Sequence, residues 1–69
     1  SMIRCVGCGA GASQWDWCVK DRGLIDRARK VGVALKLDGG NYLHERCQKK
    51  LRLLVQFKRE GEAHGSRRE

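Results

Sequence analysis

Gly39-Gly40-Asn41-Tyr42-Leu43-His44-Glu45-Arg46-Cys47-Gln48-Lys49-Lys50-Leu51 is the stretch that decides how this chain folds. It opens on a turn signal, carries a His-x-x-Cys pair, and passes into residues of helical periodicity. A second pair, Cys5-x-x-Cys8, lies near the N-terminus. Together the pairs offer thiols and an imidazole in the number and chemistry of one closed tetrahedral Zn²⁺ site. Cys5, Cys8, His44 and Cys47 are the expected ligands of a single structural zinc ion.

The need for such an ion follows from size. Sixty-nine residues allow one small domain, and two Trp, one Tyr and one Phe give it little aromatic material for a core. Chains this short commonly require a disulfide, a metal or a partner. Two disulfides among the four cysteines are the competing staple. The paired spacing favours metal, because a disulfide scheme leaves His44 without a role. Zinc thiolates in turn imply a reducing compartment, cytoplasm or nucleus. No apolar run is long enough to span a bilayer, so no membrane role is expected. Ser1 before Met2 has the look of a tag remnant.

Outward from the deciding stretch, Val33, Leu35 and Leu37 alternate with Ala34 and Lys36 and predict a strand. Asp38-Gly39-Gly40-Asn41 predicts the turn of a β-hairpin, with Tyr42–His44 as the returning strand. The final helix is expected from Glu45 to about Glu60, stopped at Gly61, with Cys47, Leu51, Leu54 and Val55 on one face. His44 and Cys47 then come to the same side as that helix begins. Residues 61–69 lack periodicity and are expected to form a disordered basic tail. The zinc-binding domain would span 3–60.

Toward the N-terminus, Leu24, Ile25, Ala28 and Val31 recur at helical spacing, with Gly32 at the capping position. Trp15, Trp17 and Val19 alternate with Asp16, Cys18 and Lys20, which predicts a strand whose tryptophans face the core. A stacking platform for nucleobases is the other role open to those tryptophans. Gly7 and Gly9 are expected to take the positive φ that turns amides toward the Cys5 and Cys8 thiolates. Cys18 has no paired ligand beside it. It is expected to sit reduced in the interior, with replacement of His44 in a Cys₄ site as the alternative. His64, in the polar tail, is expected to have no site role.

The order of knuckle, strands, hairpin and ligand-bearing helix resembles the treble-clef zinc fingers. Within that group the Cys-x-x-Cys…His-x-x-Cys pattern, with Tyr42-Leu43-His44-Glu45-Arg46-Cys47 around its second pair, is similar to the first zinc module of LIM domains. It is also similar to the DNA-break-sensing fingers of poly(ADP-ribose) polymerases. The likeness runs from Cys5 to about Leu51. The spacer between Cys8 and His44 is longer than in those families, and the Leu24–Val31 helix accounts for the excess as an insertion. No second LIM-type module follows. The resemblance implies a small α+β zinc-stabilised domain that binds rather than catalyses.

Nothing in the residues argues for catalysis. Treble-clef nucleases need further histidines around an open metal position, and His44 is committed to the structural ion. No nucleophile–base pair, phosphate loop or carboxylate dyad is present. The formal net charge of +7, from 15 Lys+Arg against 8 Asp+Glu, favours polyanions. Nucleic acid, DNA or RNA, is the expected partner, held through phosphate contacts by Arg46, Lys49, Lys50, Arg52, Lys58 and Arg59. Arg27, Arg29 and Lys30 on the inserted helix extend that surface. The alternative is a protein-interaction adaptor or inhibitor docking on an acidic surface, with Leu53 and Phe57 as its apolar anchor. A charged surface serving solubility alone is the plainest account of the same balance.

Overall fold

A computed structural model describes residues 3–65, with side-chain surroundings as far as Gly61. Ser1 and the end of the expected tail, 66–69, lie outside the described residues. The elements follow as β1 (Cys18–Lys20), α1 (Arg22–Lys30), β2 (Tyr42–His44) and α2 (Glu45–Gly65). This is the small α+β arrangement expected, with α1 inserted between the two strands of an antiparallel sheet.

Helix α1 begins where a carboxylate can satisfy its exposed amides. Asp21 is the N-cap, and its Oδ1 accepts from the Leu24 N–H at 3.1 Å. Arg27, Arg29 and Lys30 occupy the last turn, where cations complement the helix dipole. Leu24, Ile25 and Ala28 are buried. They meet Leu43 of β2, Leu51 and Val55 of α2, and Val6 of the N-terminal turn in one core. This core is small, so the elements need further ties. Asp21 supplies one, its Oδ2 accepting from the Gln48 amide at 2.7 Å and so linking the start of α1 to α2.

The hairpin expected across residues 33–44 does not form. β2 pairs instead with β1, in the register Cys18–His44, Val19–Leu43 and Lys20–Tyr42. The alternation of residues 33–37 is still present as burial, with Val33, Leu35 and Leu37 half-buried and Ala34 and Lys36 exposed. Their backbone is engaged elsewhere. The Lys36 and Leu37 amides both donate to the Val6 carbonyl, at 3.0 and 3.2 Å, while the Val6 amide donates to Tyr42 at 2.8 Å. The segment is an extended cover over the N-terminal turn. The turn glycine Gly40 is still needed, because its φ is +110° and a Cβ there would lie 3.1 Å from Val6 Cγ2.

The tryptophans are the second departure. Trp15 is 83% exposed and Trp17 70% exposed. Strand β1 starts only at Cys18, and residues before it close a tight turn instead. The interior they were expected to fill is occupied by Leu24, Ile25 and Leu43.

Helix α2 passes through Gly61 and ends at Gly65, so the expected stop at Gly61 is not used and the start of the expected tail is helical. Leu51 and Val55 are buried, but Leu54 is 41% exposed, and every residue from Gln56 to Gly61 is exposed. The C-terminal half of α2 therefore projects from the body, and with it the molecule measures 49 × 20 × 16 Å. No helix among the described residues is long and apolar enough to cross a membrane.

Candidate metal centre

Backbone geometry builds the first half of the centre. The Cys5 amide donates to Ala10 and the Gly9 amide donates back to Cys5, at 2.8 and 2.7 Å. With the Arg4–Gly11 bridge, these bonds fold the Cys5–Cys8 segment into a knuckle. Gly9 takes the expected positive φ, +84°, whereas Gly7 does not. Gly7 sits in close quarters: a Cβ there would make a tight 3.3 Å contact with Leu43 Cδ2 and ordinary 3.6 Å contacts with Cys47 Cβ and Cys5 Sγ.

The second half comes from the strand-to-helix junction. His44 ends β2, and Cys47 lies in the first turn of α2, three residues on. The ligand atoms of Cys5, Cys8, His44 and Cys47 all lie within 4.8 Å of one another, so these four residues can hold one metal ion. Cys8 Sγ is 3.4 Å and Cys47 Sγ 3.9 Å from His44 Nδ1. All four cysteines are unbridged. Cys18 is outside the group, half-buried on β1 directly across the sheet from His44.

Surrounding hydrogen bonds prepare the donors. His44 Nε2 lies 3.1 Å from the Gly11 carbonyl. A carbonyl only accepts, so Nε2 carries the proton and Nδ1 turns its lone pair toward the thiols. The sequence could not reveal Gly11 in this role, since only its backbone oxygen takes part. Cys5 Sγ accepts from the amides of Cys8 and His44, each at 3.4 Å.

The thiols of the cluster act on one another's acidity. Burial opposes ionisation of Cys5, but the amides of His44 and Cys8 and its neighbouring thiols bring it down to about 6. Cys47 is pushed up to about 12 by burial, by its hydrogen bond to Cys5, and by the negative charge there and at Cys8. Burial first, then the charges of Cys5, Cys8 and Asp16, raises Cys18 as well. One thiolate is welcome and a second is resisted. A central cation removes that repulsion, because metal ligation deprotonates the thiols outright.

The nine cationic residues expected to meet phosphate lie on two helices. Arg27, Lys30, Lys49, Lys50, Lys58 and Arg59 are exposed. Arg29, Arg46 and Arg52 are also exposed, but each has a protein partner. Arg29 donates to the carbonyls of Leu37 and Asp38 at 3.2 and 2.8 Å, holding the extended cover against α1. Arg46 pairs with Asp16, and Arg52 lies 3.9 Å from Asp21. Arg27, Arg52 and Arg59 meet at a groove of about 510 Å³ between α1 and α2, floored by Leu24 and Val55.

No protein-family profile matches this chain, and no curated protein or solved structure matches it significantly. The metal cluster therefore supports a zinc-finger-like site on its own geometry, without assigning the chain to the LIM or poly(ADP-ribose) polymerase type.

Proposed function

We propose that the chain is a zinc-stabilised, treble-clef-like module that binds nucleic acid through phosphate contacts and has no catalytic role. The zinc assignment rests on donor chemistry and distance. Zn–S and Zn–N bonds of ordinary length at a tetrahedral angle separate the two donors by about 3.6 Å. The distances of Cys8 Sγ and Cys47 Sγ from His44 Nδ1, 3.4 and 3.9 Å, bracket that value. Three thiols and one imidazole fill four positions, which favours a closed structural site over one open to substrate. When bound, zinc supplies a cross-link between the two ends of the domain. The chain's own residues set the geometry and hold His44 Nε2–H on Gly11.

The observation that carries the partner assignment is the exposure of cations along both helices of a chain whose net charge is +7. Such contacts hold phosphates with little sequence preference, and release of counterions makes them steeply salt-dependent. Anisotropy titrations of labelled DNA and RNA over a range of salt test this. Affinity should be readily measured at low salt and fall linearly in a double-logarithmic plot. Absence of binding at low salt by fully metal-loaded protein would overturn it.

The groove between α1 and α2 favours a second reading, a protein adaptor. Its apolar floor and three arginines suit an acidic peptide carrying a hydrophobic anchor. Affinity capture with and without nuclease separates the two. Partners lost on nuclease treatment support nucleic acid, and partners retained support the adaptor.

A further inference from the structure

The chain leaves its largest side chains outside its core while fixing the segment that bears them. Ser13 and Asp16 exchange backbone hydrogen bonds at 3.1 and 3.3 Å. Ser13 Oγ also accepts from the amides of Trp15 and Asp16, at 3.3 and 3.2 Å. Asp16, between the tryptophans, is paired with Arg46 at the start of α2. The turn is thus ordered by its own bonds and tied to the body, with both indoles in solvent. Exposed large apolar groups in an ordered setting mark contact surfaces, and prior ordering lowers the entropy lost on binding.

Arg46 also begins a stripe. Arg46, Lys50, Leu53 and Phe57 are spaced at helical intervals along one face of α2, opposite buried Leu51 and Val55. They cover about 16 Å of helix. Leu53 and Phe57 are 59% and 68% exposed. Trp15 and Trp17, on either side of Asp16, therefore stand at the Arg46 end of this face and Phe57 at the other, with Lys50 and the Asp16-paired Arg46 between them. Flat π-faces interleaved with positive charge match unpaired bases joined by phosphates, whereas a duplex hides its base faces within the stack. An acidic partner protein would meet the charges but has no need of paired indoles.

We propose that Trp15, Trp17 and the Arg46–Phe57 stripe form a stacking platform for single-stranded nucleic acid. This rests on the nucleic-acid reading above and narrows it to unpaired strands. Trp15 and Trp17 are the two tryptophans of the chain, so its indole fluorescence reports on the platform directly.

The test titrates the metal-loaded 69-residue chain at low salt with a labelled oligo-dT strand and with a duplex of equal length. Anisotropy gives affinity, and indole emission gives stacking. The single strand should bind more tightly and quench the indoles. A W15L/W17L variant, which keeps apolar area but loses the rings, should bind it roughly tenfold more weakly or worse. Its metal content and circular dichroism should be unchanged, since both side chains are exposed. Equal affinity for duplex and single strand, unchanged emission on saturation, or wild-type affinity in W15L/W17L would each overturn the platform while leaving phosphate binding intact. Failure of both nucleic acids to bind would overturn the broader reading along with it.

Discussion

At the scale of single residues, Asp21 combines two structural tasks. Its carboxylate caps α1 and holds the Gln48 amide of α2. Replacing it with alanine should cost about 1–2 kcal/mol in urea unfolding, the loss of a good N-cap. Its titration adds a pH signature. The Gln48 amide, the Leu24 N–H and the Arg52 and Arg27 charges together outweigh burial and hold this carboxyl below its usual range. A lowered folded-state value means the contribution is complete above the unfolded-state value and is lost as pH falls through the folded one. Wild type and D21N should therefore differ most near neutrality and converge in acid. A constant difference across unfolding curves at several pH values would contradict this. Gly40 is the other sensitive residue. G40A must adopt a φ of +110° and push Val6 aside, so a loss of about 1–3 kcal/mol is expected in the same assay.

Among the elements, α2 is two helices in energetic terms. Its first turns carry Cys47, Leu51 and Val55 into the body, whereas the turns after Val55 bury nothing among the described side chains. Leu51→Ala should cost about 2–5 kcal/mol, as for other buried leucines. Leu53→Lys and Phe57→Lys, on the solvent side, should stay within about 0.5 kcal/mol of wild type in thermal unfolding. Comparable losses at all three positions would mean that the outward face is covered in the free protein. The projecting turns keep a local bond, Gln56 donating to Glu60 at 3.2 Å. Amide exchange should be faster there than around Leu51.

For the molecule as a whole, the four candidate ligands bring the N-terminal knuckle against the junction of β2 and α2. The shared core holds only eight buried apolar side chains among the described residues, a size at which small domains commonly rely on an added cross-link. A strong zinc chelator at neutral pH should unfold the protein, with loss of helical circular dichroism and recovery on adding zinc. Retention of the folded spectrum after complete metal removal would show that the core suffices. Acid should also release the ion, because protons compete for the thiolates and imidazole.

The sequence by itself determined which four residues could share one ion and that two helices form, but not that α2 continues through Gly61. Ligand spacing depends on neighbours three residues apart, and helical periodicity is equally local; the cap at Asp21 emerged only in the fold. Spacing and periodicity were legible without knowing where distant segments lie. Strand pairing and the fate of the tryptophans were decided by tertiary structure. An alternating run such as residues 33–37 specifies a half-buried extended backbone but not which chain accepts its hydrogen bonds; Val6 does, and β1 takes the place beside β2. The alternation of Trp15 and Trp17 likewise carried no information that Leu24, Ile25 and Leu43 would fill the interior first. Burial is a competition among all apolar side chains for one small volume, and only the assembled fold decides it.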